Sequence, residues 1–294
     1  MQAEEVAPGE AGAARARALG WLQRSGEEPR QDLIELGALV ACVYPALAHG
    51  LDAHPEDLAF AARAIKEARN AGSYRRLASQ AIEGPDDALR TRRGLRRFAA
   101  REKLRIAVRE LLAEPGQDVD VTARELADLA DACCQTSLDE ALAWGKARFG
   151  VPVTATGEPC AFVVIGMGKL GGRELNAGSD IDLMLFYETD DGRVVGPSST
   201  ELSHSLHEHF TRVAQRFVAT LDEATEDGSV WRVDLRLRPE GTRGPLVNGL
   251  AATERYYETW GRMWERVALI RARPVAGDTS FGSRLLDALA PFVW

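Results

Sequence analysis

Asp180 and Asp182, in Gly178-Ser179-Asp180-Ile181-Asp182-Leu183, stand one residue apart at the mouth of an apolar run from Ile181 to Tyr187. Along a strand, residues two apart share a face, so both carboxylates project together. An ionised carboxylate without a partner is costly to take out of water, and adjacent anions repel; both stay charged most readily with hard cations between them. Mg²⁺ suits this, because it binds through a few carboxylates and keeps places for water and phosphate oxygens. Asp234 adds a third acid in Val230-Trp231-Arg232-Val233-Asp234-Leu235-Arg236-Leu237-Arg238, which alternates as a strand does. Trp231, Val233, Leu235 and Leu237 then point one way, and Arg232, Asp234, Arg236 and Arg238 the other. Asp180, Asp182 and Asp234 as metal ligands, with Arg236 and Arg238 neutralising non-bridging charge, describe a two-metal phosphoryl-transfer site. For Asp234 alone, a structural ion pair with its neighbouring arginines is the alternative.

The stretch before the paired acids is rich in glycine. Gly166, Gly168 and Gly171 fit the dinucleotide-binding pattern G-x-G-x-x-G after a strand, with Glu188 near the place of a ribose-binding acid. The helix that could follow is short, and Asp182 would put a charge inside a fully covered parallel sheet, which speaks against that reading. A Walker A loop fails, because Lys169 is followed by Leu170 rather than Ser or Thr. Glycines that serve only a tight turn remain a further alternative.

Around these residues the chain divides by pattern. Residues 1–27 read as a disordered or weakly helical tail, residues 28–150 as a helical domain, residues 158–278 as the catalytic domain, and residues 279–294 as the truncated start of a further helical segment. In the helical part, Thr122 and Glu125 have capping-box spacing at the head of a helix. Upstream, Arg93, Arg97, Arg101, Arg105 and Arg109 recur every four residues. They make a basic ridge, read either as a solvated face or as an anion- or partner-docking surface. After the linker Gly150 to Pro159, Cys160 to Gly166 and Asp180 to Glu188 read as strands. A helical stripe follows through Leu202, Leu206, Phe210, Val213, Phe217 and Leu221. The fold class expected is α+β, a mixed sheet with helices, preceded by an all-helical domain.

The 294 residues carry a formal charge of −8, which gives no footprint for nucleic acid or an anionic membrane. No apolar run approaches the roughly 18 residues of a membrane span. The four cysteines lack metal-ligand spacing and suit a reducing compartment, so a cytoplasmic location is expected. His204, His207 and His209 read as a solvated helix surface rather than a metal site. Tyr256, Tyr257, Trp260 and Trp264 read as packing aromatics, while Arg262, Arg266, Arg271 and Arg273 could reach phosphate or carboxylate.

Glycine loop, short helix, strand-borne D-x-D and a distal strand-borne Asp together resemble the DNA polymerase β type nucleotidyltransferases. The segments 166–183, 232–247 and 256–278, with the helix 95–112, look more closely like the glutamine synthetase adenylyltransferase / adenylyl-removing enzymes. Gly244-Pro245-Leu246, Tyr256-Tyr257 and Gly261-Arg262 before Trp264-Glu265-Arg266 look like the amino-terminal half of that bifunctional family. The resemblance implies Mg²⁺-dependent removal of AMP from a tyrosine of glutamine synthetase, with inorganic phosphate as acceptor and ADP as product. ATP-dependent attachment of AMP and a non-catalytic regulatory module are the alternatives. It further implies Asp180, Asp182 and Asp234 as metal ligands, phosphate contacts from Gly178 and Ser179 assisted by Gly168 and Lys169, and a P-II type nitrogen-signalling partner. In the wider superfamily the Gly-Ser pair stands well before the D-x-D, whereas Ser179 abuts Asp180 here.

Overall fold

The computed structural model describes residues 2–67, 69–82, 88–112, 118–196, 204–225 and 228–294. In chain order the helices α1 (Ala3–Val6), α2 (Ala11–Ser25), α3 (Gln31–Val43), α4 (Pro45–Ala53), α5 (Glu56–Ala64), α6 (Ala71–Ala81), α7 (Ala88–Leu111) and α8 (Val119–Phe149) come first. Then follow β1 (Val151–Thr154), β2 (Phe162–Gly166), α9 (Gly168–Gly171), β3 (Ile181–Tyr187), β4 (Gly192–Val195), α10 (Leu206–Asp222) and β5 (Val233–Asp234). Last are β6 (Asn248–Gly249), α11 (Leu250–Trp260), α12 (Met263–Leu269), β7 (Arg273–Gly277) and α13 (Thr279–Val293). The class is α+β. Two compact units form: a helical one of Met1–Leu129, Leu175–Gly178 and Ala224–Val230, and a sheet unit of Ala130–Glu174, Ser179–Glu223 and Trp231–Trp294. The sheet unit begins at Ala130, within α8.

In the helical unit, residues expected as a disordered or weakly helical tail form the 15-residue helix α2. Its alanines favour helix, and Ala11, Ala14, Ala18, Trp21 and Leu22 share the buried face. Trp21 is fully buried and its indole N–H donates to Asp52 at 2.8 Å. The helix ends at Gly26, whose φ of +74° is the left-handed cap that glycine adopts without penalty. Arg93 is exposed, but from Arg97 onward the basic ridge is not a solvated face. Arg97 and Arg101 pair with Asp57 of α5 at 2.9 and 3.2 Å, and Arg105 is fully buried. Arg105 donates to Glu102 at 2.9 Å, to the Tyr74 hydroxyl at 2.6 Å and to Glu125, which Arg109 also pairs with. Glu125 therefore does not close a capping box with Thr122; Asp118 caps α8 instead, its carboxylate accepting the Val121 N–H at 2.8 Å.

In the sheet unit, β1 and β4 form an antiparallel pair, and a mixed sheet runs β5-β3-β2-β7 with β6 also on β3. β2 is buried throughout and β3 at all but Asp182, as their apolar runs require. The two are antiparallel, with Gly166 opposite Leu183. That excludes the dinucleotide-binding reading, which needs parallel strands joined by a crossover helix. α10 begins at Ser205, whose hydroxyl accepts the Glu208 N–H at 3.1 Å in a capping box, and buries Leu206, Phe210, Val213, Phe217 and Leu221; Leu202 lies outside the described residues. α13 starts on an Asp278 cap and buries Phe281, Leu285 and Leu289. The expected strand 230–238 is reduced to Val233–Asp234, because the Asp234 carboxylate accepts the Arg236 N–H at 2.8 Å and turns the chain. Trp260 and Trp264, expected in packing, are 72% and 48% exposed, whereas Tyr257 is buried against Phe292.

Candidate functional site

Two of the acids stand on adjoining strands, and the third just before one of them. β3 and β5 run parallel, and Asp182 and Asp234 are register partners, one directly beside the other. Asp180 precedes β3 by one residue, on the side of Asp182. Burial pushes the Asp182 carboxyl above its ordinary range, and the charges of Asp234 and Asp180 push it further; Arg236 and Lys169 oppose them. Each outer acid is engaged by an arginine. Arg232 pairs with Asp180. Arg236 forks onto Asp234 with contacts of 2.5 to 3.0 Å, which holds that carboxyl below the usual range.

The glycine turn walls one side of the acids. Gly168 has φ +52°, and a Cβ there would stand 2.5 Å from Asp182 Oδ2, so any other residue would bear a strained backbone and push that carboxylate aside. At Gly171 a Cβ would stand 2.0 Å from the Arg271 carbonyl oxygen, which makes this glycine a packing requirement. Lys169 donates to the Ser179 hydroxyl at 3.2 Å, joining the turn to the residue before Asp180. Gly178 is open: a Cβ there would meet nothing within 4 Å.

Trp231 and Arg273 hold these pieces in place. The buried indole of Trp231 donates to the Ser179 carbonyl at 3.0 Å, and the Ile181 N–H donates to the Arg232 carbonyl at 3.0 Å. Arg273 forks onto Asp131 at 2.7 and 3.1 Å and donates to the Leu170 carbonyl at 3.0 Å, anchoring the end of the glycine turn. Both are positioning residues; Trp231 stands among the apolar alternates of the sequence, where nothing marks its N–H, whereas Arg273, expected to reach phosphate or carboxylate, reaches the carboxylate of Asp131. Arg232 was on the polar face, two residues before Asp234, and that spacing was the available signal.

Other expected residues lie apart from the acids. The Arg238 guanidinium donates to the carbonyls of Leu235, Gly244, Pro245 and Thr242, which ties down the loop after β5. Arg271 pairs with Glu174, Arg266 lies over the Phe292 ring, and Glu265 accepts from Tyr256 and the Arg262 N–H. The histidines are not a solvated surface. His209 is 1% exposed, stacked on His204, while His207 meets the Tyr187 hydroxyl at 3.2 Å. The His209 ring lies against Gly145, where a Cβ would make only ordinary contact with Nε2 at 3.5 Å; the close approach at that glycine is of Val213, at 2.7 Å.

Residues 35–288 match the family model described as glutamate-ammonia ligase adenylyltransferase. The chain belongs to this family. Among similar proteins are those named bifunctional glutamine synthetase adenylyltransferase/adenylyl-removing enzyme from Thioalkalivibrio sulfidiphilus, 44% identical over 76% of this chain and 22% of the relative, and Nitrosococcus oceani, 47% identical over 67% and 20%. A third, from Pseudomonas aeruginosa, is 46% identical over 69% of this chain and 20% of its own length. The chain thus spans about a fifth of the length of these curated relatives. Within this adenylyltransferase family chain, three carboxylates are the right donor chemistry for a hard divalent ion, and the mutual effect of their charges places them within electrostatic reach. Among the described residues no three acid, imidazole or thiol groups converge tightly enough to hold one ion. No helix among them is long and apolar enough to cross a membrane.

Proposed function

We propose that this chain is the catalytic part of a cytoplasmic adenylyl-removing nucleotidyltransferase that acts on glutamine synthetase and so regulates nitrogen assimilation. Inorganic phosphate attacks the phosphorus of tyrosyl-O-AMP. The new P–O bond makes ADP, the bond to the tyrosyl oxygen breaks, and the proton of hydrogenphosphate ends on that oxygen. Charge and atoms balance with no covalent enzyme intermediate.

The observation that carries this reading is the register pairing of Asp182 with Asp234, beside Asp180, in a chain of this family. Asp180, Asp182 and Asp234 would hold Mg²⁺, which when bound supplies charge neutralisation and alignment of phosphate oxygens. Arg236 and Lys169 bring positive charge to the same place, and the Ser179 hydroxyl, held by Lys169, presents a polar contact for phosphate. Gly168 keeps the turn clear of Asp182. Positioning and electrostatics then do the catalysis, and no histidine acts as base.

The direction of transfer rests on the likeness of Gly244-Pro245-Leu246, Tyr256-Tyr257 and Gly261-Arg262 to the removing half of the family. Adenylylated glutamine synthetase incubated with the chain, Mg²⁺ and phosphate tests it: ADP and unmodified tyrosine are expected. Pyrophosphate from ATP and unmodified glutamine synthetase would instead establish attachment. Neither product would leave a regulatory module. A P-II type signalling protein is the regulatory partner that the resemblance implies, and its addition to the same assay tests that arm.

A further inference from the structure

Arg232 and Arg236 lie two residues on either side of Asp234, and each guanidinium engages an outer acid of the triad. We infer that these two arginines occupy the carboxylates until a divalent ion arrives, then pass to the anionic phosphate of the substrate, so that ion and phosphate bind cooperatively. This inference rests on the metal-site reading under Proposed function.

The charges favour such an exchange. Three carboxylates against two guanidinium groups and the Lys169 ammonium sum to zero. A divalent ion added beside them leaves two positive charges, and the guanidinium groups it displaces need new partners. A phosphate dianion matches the two freed charges, and the planar forks of arginine suit its oxygens.

Geometry permits the movement. The Arg232 and Arg236 side chains are 70% and 77% exposed, so they can swing at the modest cost of exposed ion pairs. Arg238, in contrast, is committed to four backbone carbonyls and takes no part. Asp182, between the outer acids, is half-buried and opposed by both neighbouring carboxylates, so it gains most from a cation.

The test is Mn²⁺ binding to the intact chain, followed by the paramagnetic resonance signal of the free ion, with and without inorganic phosphate. Arg232→Gln and Arg236→Gln are each expected to bind Mn²⁺ about three- to tenfold more tightly than the parent when phosphate is absent. Phosphate should tighten Mn²⁺ binding to the parent, and this gain should shrink in the double variant. Arg284→Gln, which removes the same charge from Glu188 at the opposite end of β3, should change Mn²⁺ affinity by less than about twofold. Equal affinities in the parent and both arginine variants, or an equal gain from Arg284→Gln, would overturn the inference. If the parent binds no Mn²⁺, or if Asp182→Asn binds it undiminished, the metal-site reading itself falls and the inference falls with it.

Discussion

Asp182 and Asp234 are register partners on parallel strands, and the charge of Asp234 makes ionisation of Asp182 harder. Burial is the largest cause of the raised Asp182 pKa, and a residue in that position lowers stability whenever it is charged and without a cation. Function and stability should therefore part company there. Asp182→Asn is expected to lower turnover by at least about 10²-fold, the scale of losing one fixed electrostatic group. Its thermal midpoint without metal should stay unchanged or rise by about 2 °C, because repulsion is relieved. A variant that retains turnover, or one that loses it through unfolding, contradicts the assigned role.

Gly168→Ala tests the wall of the same site. The left-handed φ costs an alanine about 1 kcal/mol, and the new methyl must push against the Asp182 carboxylate. Turnover should fall by about 10- to 100-fold through displacement of that acid. Gly178→Ala, in open space, should cost much less. Steady-state rates of the two variants, compared at matched folded fraction, decide the matter; equal losses would show that the glycine turn does not act through Asp182.

The parts legible in sequence were those set by local pattern. β2 and β3 announce themselves as unbroken apolar runs, and the D-x-D spacing alone puts Asp180 and Asp182 on one side. β5 was overestimated because alternation continues to Arg238, while the turn made by Asp234 on the Arg236 N–H ends the ladder after two residues. The arginine ridge of α7 was read as surface because five arginines at one spacing look alike. What distinguishes Arg105 is Tyr74 on α6 and Glu125 on α8, distant in sequence and invisible to periodicity. His209 was misplaced for a similar reason, its shelter coming from Gly145 and Phe149.

The buried node of Arg105, Tyr74, Glu102 and Glu125 makes a stability prediction free of the catalytic question. Arg105→Ala removes the buried cation shared by two buried carboxylates, leaving Glu102 to Arg69 and Glu125 to Arg109, and should destabilise the fold by about 3 kcal/mol. Tyr74→Phe removes one hydroxyl that both accepts from Arg105 and donates to Glu125 at 2.7 Å, and should cost about 1–3 kcal/mol. Urea unfolding of the chain measures both. An Arg105→Ala loss below that of Tyr74→Phe would mean that Arg69 and Arg109 suffice for the carboxylates.

His209 should give the fold a specific acid sensitivity. Burial lowers its pKa from 6.5 to about 4, with the neighbouring charges of His204 and Arg212 acting in the same direction. The folded state thus prefers the neutral ring, whereas the unfolded chain protonates at the ordinary value. Between those two pKa values the unfolded state binds more protons, so stability falls as pH drops through 6.5 toward 4 and is fully present above 6.5. The shift caps this contribution at about 3 kcal/mol. His209→Leu removes the titration while filling much of the space between Phe149, Phe210 and Gly145. Its unfolding free energy should therefore decline less steeply than the parent's over that window, whatever its value at neutral pH. Parallel slopes for the two proteins, measured by urea titrations at half-unit steps of pH, would show that the ring is protonated with little penalty and that other groups set the acid limit.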